Sequence, residues 1–352
     1  MTERNDASWM EMALEQAQLG RGLCSPNPMV GAVIVDRAGR CIGRGYHRKA
    51  GEGHAEVNAL ASVAPDDRPA LKGATIYVTL EPCSTWGRTP PCCDAIIASG
   101  ISRVVVGCLD DNPKHAGAAV ERLRSAGVQV TTGVLEPACR RLDEHFFWWI
   151  TRRRPWVVLK MAMSLDGRIA LPDGTSKWIT GPAARGRVQE LRQLAGMVMV
   201  GGRTALADDP SLTVREPAQW PRQPVAAIWS SREMPAKLSL YRQTGREVIT
   251  VHPNTTEQWL EFLREWGARD VTMLLLEGGG ELAANALACG IVNRVDFFIA
   301  PKLIGGRDAV PVVGGEAPPA LDQALRLDGV RTEMLGEDLL YTGYPLNTVG
   351  RG

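Results

Sequence analysis

The apolar positions of the first 150 residues change period several times. Trp9, Met10, Ala13, Leu14 and Ala17 recur at helical spacing and predict a helix over residues 8–19. Met29 to Val35 is an unbroken apolar run that reads as a buried strand, and a turn at Asp36–Gly39 leads to its hairpin partner, Cys41 to Tyr46. The pattern then predicts a helix over 54–63, strands over 74–80 and 103–108, a helix over 118–126 and a strand over 128–131. Between the middle strands, Pro90-Pro91 ahead of Cys92 and Gly100 behind Ser99 bracket a further helix, since proline suits a helix start and glycine its end. A hairpin followed by alternating helices and strands implies a layered α/β unit with helices on both faces.

A second alternation begins after Pro155. Strands are predicted over 156–164, 197–201, 225–229, 247–251 and 271–276, with a helix over 183–195. The last strand runs into Gly278-Gly279-Gly280 and a further helix, a turn whose backbone N–H groups can approach a phosphate. Phe146-Phe147-Trp148-Trp149, with Arg152-Arg153-Arg154-Pro155 behind it, reads as the join: aromatics packed between domains, arginines as a solvated connector. Two domains, 1–150 and 155–345, are expected from a chain of 352 residues.

Composition narrows the function. A formal charge of +1 argues against a large nucleic-acid footprint, which needs a basic face. No apolar run approaches the ~20 residues of a membrane span, and the polar opening Met1 to Asp6 is unlike a signal peptide. The eight cysteines are not spaced as a disulfide framework, so a reducing, cytoplasmic setting is expected.

The cysteines matter more as ligands. His54, Cys83 and either Cys92 or Cys93 offer one imidazole and two thiolates, a donor set for Zn²⁺ that leaves a fourth position for water. Glu56, two residues beyond His54, can reach that water without being a ligand. This is the H-x-E and P-C arrangement of zinc deaminases, although eight residues, not two, separate Cys83 from Cys92.

With both halves in view, the chain resembles the bifunctional riboflavin-biosynthesis deaminase/reductases over nearly its whole length. In the first half the resemblance rests on Pro26 to Gly31, His54 to Leu60 and Glu81 to Cys92. In the second it rests on Lys160 to Arg168, Ser176 to Gly181, Gly201 to Arg215, Glu277 to Gly279 and Pro301 to Gly306. It implies a cytidine-deaminase-like α/β/α domain followed by a dihydrofolate-reductase-like α/β domain. The first would remove the 2-amino group of a diaminopyrimidinone ribosylamine phosphate, and the second would reduce the ribosyl group to ribityl with NADPH. By family position His54, Cys83 and Cys92 bind zinc, Glu56 moves the proton, and Asn27, Arg88 and Asn112 contact the deaminase substrate. Ala162, Trp178, Thr204, Asp208 and the loop Gly279, Gly280, Glu281, Leu282, Ala283, Ala284 and Asn285 would hold NADP. Ser176, Arg192, Leu212, Arg215 and Glu277 would hold the reductase substrate, with the Arg192 and Arg215 guanidinium forks suited to its phosphate.

The chain departs from the family pattern at Thr85, where many members carry His, at Ala118-Ala119 and at Asp143, usually Asn. A small-molecule substrate and a homo-oligomer, with neither nucleic acid nor membrane as partner, complete the expectation. The competing readings are a nucleic-acid base deaminase, a zinc-stabilised scaffold, and a relative drifted to another pyrimidine.

Overall fold

The computed structural model describes residues 5–86, 90–112, 117–243 and 245–350. The chain divides into two compact units, Met1–Arg153 and Arg154–Gly352.

In the first unit α1 (Asp6–Gln18) starts at Asn5, whose side chain accepts the Ser8 N–H. It is followed by β1 (Gly31–Val35), β2 (Cys41–Tyr46), α2 (Ala55–Ala61), β3 (Thr75–Leu80), α3 (Cys92–Ser99), β4 (Arg103–Cys108), α4 (Ala118–Ser125) and β5 (Gln129–Thr132). Helices α5 (Glu136–Leu142) and α6 (Glu144–Arg152) close the unit. The sheet order is β2-β1-β3-β4-β5, antiparallel through β3 and parallel beyond it.

Alternation along β1 sends Ala32 and Ile34 to one face and Val33 and Val35 to the other. The first face packs on Ala55, Ala59, Cys93, Ile96, Ala119 and Leu123, the second on Trp9, Met10, Phe146, Phe147 and Trp149. Three of the four aromatics assigned to a packing face between domains therefore lie in the core of the first unit, on a helix that the sequence reading treated as a join. Arg152 and Arg153 stack over Trp148 and Trp149, with guanidinium carbons 5.6 and 5.4 Å from the ring centroids.

The second unit contains β6 (Trp156–Ser164), β7 (Arg168–Ala170), α7 (Pro182–Leu194), β8 (Met197–Gly201), α8 (Gly202–Asp208), β9 (Val225–Trp229), β10 (Val248–Val251) and α9 (Thr256–Ala268). It ends with β11 (Met273–Leu276), α10 (Gly280–Ala288), β12 (Arg294–Ala300), β13 (Val310–Pro311), β14 (Leu327–Leu335) and β15 (Asp338–Pro345). Eight strands in the order β10-β9-β8-β11-β6-β12-β15-β14 form one sheet, parallel as far as β12 and antiparallel thereafter. A small separate sheet pairs β13 with β7. Both faces of the central strands are covered, so Val157 and Leu159 pack on one side and Val158 on the other. That is why these strands read as continuous apolar runs.

Helix α9 and the strands after α10 were not anticipated, although Thr255 caps α9 by accepting the Gln258 N–H. Nor was α8, which ends at Asp208 and is capped by Asp209, whose φ is 40°.

Candidate active sites

Three short segments bring the candidate metal ligands together. His54 is the N-cap residue of α2, Cys83 lies just beyond β3, and Cys92 is the first residue of α3. Backbone hydrogen bonds close the long gap between the cysteines: Cys92 N donates to Cys83 Sγ at 3.2 Å and Cys93 N to the Cys83 carbonyl at 3.3 Å. His54 Nδ1 lies 3.5 Å from Cys83 Sγ and 3.3 Å from Cys92 Sγ, and the three donor atoms are all within 4.8 Å of one another. Ordinary Zn–N and Zn–S bond lengths at tetrahedral angles put such neighbours about 3.6 Å apart, so the donor set fits a zinc ion. Cys93, by contrast, is fully buried in the apolar core behind the site, and burial pushes its thiol up to about 12.

Acidic groups crowd together here and shift one another. The Cys83 thiol is drawn down to about 4, chiefly by its hydrogen bond with Cys92, while the same bond holds the Cys92 thiol up. Glu56 is 3% exposed, and burial raises its carboxyl above the ordinary range. His54 is raised, first by its contact with Cys83.

Around this cluster, Asn27 Nδ2 lies 3.0 Å from His47 Nε2, and His47 Nδ1 lies 3.1 Å from the Gly53 carbonyl oxygen. Met29 N donates to Asp143 Oδ1 at 2.8 Å; burial pushes that carboxyl well above its usual range. Asn112 N is turned onto Asp110 Oδ1 at 2.8 Å, and Glu81 accepts the N–H groups of Asp110, Gly117 and Ala119. Thr85 is exposed, and Arg88 lies outside the described residues.

In the second unit a cavity of about 710 Å³ opens at the carboxyl ends of β8, β9 and β11, where parallel sheets place their ligands. Thr204, Asp208, Gly279, Gly280, Glu281 and Leu282 line it, together with Ser176. A Cβ on Gly279 would stand 2.6 Å from Thr204 Oγ1, and one on Gly280 would stand 2.7 Å from the Pro311 carbonyl oxygen, so both glycines keep this wall open.

The chain matches the RibD C-terminal domain over residues 155–341 and the cytidine and deoxycytidylate deaminase zinc-binding region over residues 3–108. It is 41% identical to the riboflavin biosynthesis protein RibD of Actinobacillus pleuropneumoniae over 360 residues, covering 95% of this chain and 94% of that protein. The chain belongs to the RibD family. Two solved structures agree over nearly its whole length. RibD of Acinetobacter baumannii superposes with a TM-score of 0.82 at 34% identity, over 97% of this chain and 98% of that one. The diaminohydroxyphosphoribosylaminopyrimidine deaminase/5-amino-6-(5-phosphoribosylamino)uracil reductase of Thermotoga maritima does so with a TM-score of 0.80 at 34% identity, with the same coverage. The protein is thus a bifunctional enzyme of riboflavin biosynthesis, with a zinc-binding deaminase region and a reductase region. Among the described residues no helix is long and apolar enough to cross a membrane.

Several residues carried over from RibD family position have other partners here. Arg192 presents no free fork: Nε and Nη2 donate to Glu277 at 2.6 and 2.8 Å, and Nη1 to the Thr213 carbonyl at 2.8 Å. Both side chains of that pair are 8% exposed. Burial would raise Glu277, yet Arg192 holds it below the ordinary carboxylate range. Leu212 is 2% exposed with its side chain in the core and its backbone at φ 50°, so its side chain is not presented to a ligand. Ser176 Oγ donates to Asp208 Oδ1 at 2.7 Å, which ties together two residues assigned to different ligands. Trp178 is 67% exposed beneath the Arg185 guanidinium, while Ala283 is buried in the core. Asn285 accepts the Trp259 indole N–H and donates to the Asn254 carbonyl. Ala162, Trp178, Ala283, Ala284 and Asn285 do not line the cavity.

The structure also adds residues that motif reading missed. Ser230, Ser231 and Arg232 follow β9 into the cavity, beside a Trp229–His252 ring pair 4.7 Å apart; the end of a predicted parallel strand was the signal available. Arg246 Nη1 donates to the Ser211 carbonyl at 2.7 Å and Arg215 Nη1 to Ser211 Oγ at 3.1 Å. Together with Arg192, three guanidiniums therefore surround Ser211–Thr213. Burial first, and then Arg192, draws Arg246 down to about 10. Lys160, on β6, is also lowered by burial, with Glu277 opposing the shift. No local motif marked either residue.

Proposed function

We propose that residues 1–150 remove the 2-amino group of 2,5-diamino-6-(5-phosphoribosylamino)pyrimidin-4(3H)-one, and that residues 155–345 reduce the product to 5-amino-6-(5-phosphoribitylamino)uracil. The observation that carries the first half is the convergence of His54, Cys83 and Cys92 beside the buried carboxyl of Glu56. These three residues would hold one zinc, which supplies Lewis-acid activation of water. Glu56, whose carboxyl burial raises, would carry the proton on a carboxylate oxygen, from water to the departing amine nitrogen. Asn27, Arg88 and Asn112 would orient the ring and its phosphate-bearing substituent.

For the second half, the cavity at the ends of β8, β9 and β11 would hold NADPH, which would supply the hydride. Thr204, Asp208 and the Gly279–Leu282 turn would hold it there, and Ala162, Trp178, Ala283, Ala284 and Asn285 would serve at one remove from the cavity. Glu277, fixed by Arg192, offers the sugar an oriented acceptor, while Arg215 is the guanidinium left exposed for the phosphate. We take the enzyme to act as a cytoplasmic homo-oligomer, which sedimentation of the purified protein would test.

The test of the whole reading is incubation with the diaminopyrimidine phosphate, with and without NADPH, followed by product mass. Loss of the amine as ammonia without NADPH, and a further gain of two hydrogens with it, are expected. Gly279→Asp should deaminate normally and fail to oxidise NADPH, because its side chain meets Thr204 and opposes a cofactor phosphate. An unchanged substrate mass under both conditions would overturn the reading.

A further inference from the structure

His47 stands between two groups whose chemistry fixes how its ring is protonated. The Gly53 carbonyl can only accept, so the 3.1 Å contact from His47 Nδ1 requires the proton on Nδ1. In the neutral ring Nε2 then carries a lone pair, and the Asn27 atom 3.0 Å away must be the amide nitrogen. Flipping the carboxamide would set Asn27 Oδ1 against that lone pair. Among the described residues nothing else hydrogen-bonds the Asn27 side chain.

The surroundings keep this arrangement still. His47 is 2% exposed, its backbone N–H donates to the Val30 carbonyl at 2.9 Å, and its ring meets the His54 ring edge-on with centroids 5.1 Å apart. Asn58 Nδ2 also donates to the Gly53 carbonyl, at 2.9 Å, so the anchor of His47 is itself held. Beyond Asn27, Met29 N is fixed on Asp143. Gly53 immediately precedes the proposed ligand His54, so one short run of contacts joins the metal site to the Asn27 amide.

We infer that His47 is a positioning residue of the deaminase site: it locks the Asn27 carboxamide so that Oδ1 accepts from an N–H of the pyrimidine, favouring a ring whose amino-lactam edge donates over one that presents a lone pair there. The inference rests on the assignment of Asn27 to the deaminase substrate, and a double-mutant cycle separates the two.

Deamination kinetics, zinc content and the reductase half-reaction are measured for His47→Leu, Asn27→Ala and the pair. His47→Leu should raise the deaminase KM about tenfold, the scale of one misdirected hydrogen bond, with zinc and reduction unchanged. The double variant should be no worse than Asn27→Ala alone, because the histidine acts only through the amide. Fully additive losses, or loss of zinc in His47→Leu, would overturn the positioning role while leaving Asn27 in place. Parent kinetics in Asn27→Ala would instead sink the assignment of Asn27, and this inference with it. Should His47→Leu fail to fold, His47→Gln and His47→Asn carry the test. Gln can set its amide oxygen where Nε2 stood, whereas Asn can replace only Nδ1, so KM should stay near the parent's in the first and rise in the second. Equal KM values would overturn the proposal.

Discussion

The two candidate sites solve opposite problems with charge. In the first unit, two thiols, a buried carboxyl and one imidazole gather within a few ångströms, an excess of acidic groups waiting for a cation. In the second, Arg192, Arg215 and Lys160 surround one carboxylate, Glu277, with Arg246 beside Arg192, an excess of cations suited to an anionic ligand. The first is made by side chains at two helix starts and just beyond β3, so a few atoms decide it. The second is made largely by backbone at strand ends and by long side chains that also bond one another, so its loss should be graded.

That contrast can be broken most sharply at the zinc ligands. Cys92→Ser should lose the metal and all deamination, while Cys93→Ser, altered in the core behind the site, should keep its zinc. Metal analysis of the two variants decides it, and the reverse result would move the ligand to Cys93. Next in size, Glu56→Gln keeps the donor set but cannot carry a proton. Deamination should fall by about 10²–10⁴, while reduction of pre-deaminated substrate continues near the parent rate. If that half-reaction also stopped in folded protein, the two chemistries would not be independent.

A smaller, graded effect is expected in the second unit. Arg215→Ala should weaken the phosphorylated reductase substrate by about 1.5–3 kcal/mol, read as KM, and affect a dephosphorylated one much less. Equal losses on both would remove Arg215 from the phosphate site. Arg192→Ala should behave differently, lowering kcat as well, because it releases Glu277.

The smallest effect concerns stability away from either site. Arg103 Nη1 and Nη2 donate to Asp6 at 2.9 and 2.6 Å, and Arg103 holds the Asp6 carboxyl below its ordinary value against some burial. A depressed folded-state pKa means that the contribution is complete above the unfolded value near 3.9 and is lost as pH falls through the lower, folded value. Asp6→Asn should therefore lower the Tm at pH 7 by the equivalent of less than about 1 kcal/mol, since the pair is partly exposed. The gap between the variants should close in acid. A gap that persisted at pH 2 would mean packing, not charge, carries the effect.

How legible each site was follows from the same contrast. His54, Glu56, Cys83 and Cys92 could be read because zinc chemistry admits few residue types, and H-x-E fixes a spacing on one helix. The choice between Cys92 and Cys93 needed the family pattern, and the fold supplied its reason: on α3 one points at His54 and the next into the core. Arg192 was expected to offer a free fork to the substrate phosphate, because no local pattern says that Glu277, far along the chain, will occupy it. Leu212 was named from a motif, and its side chain lies in the core.

By itself the sequence determined the strands of the two larger sheets up to β11, the hairpin start, a zinc donor set left open between Cys92 and Cys93, and the Gly278–Gly280 turn. Each is encoded by residues close in the chain, through apolar period, capping residues or ligand chemistry. Tertiary structure alone decided that Phe146, Phe147 and Trp149 enter the first core, that Lys160 joins Arg192 at Glu277 while Arg246 joins it at Ser211–Thr213, and that His47 faces both Gly53 and Asn27. These depend on which strand ends and helix starts meet. Burial and hydrogen-bond satisfaction across the whole unit set that, and no window of neighbouring residues records it.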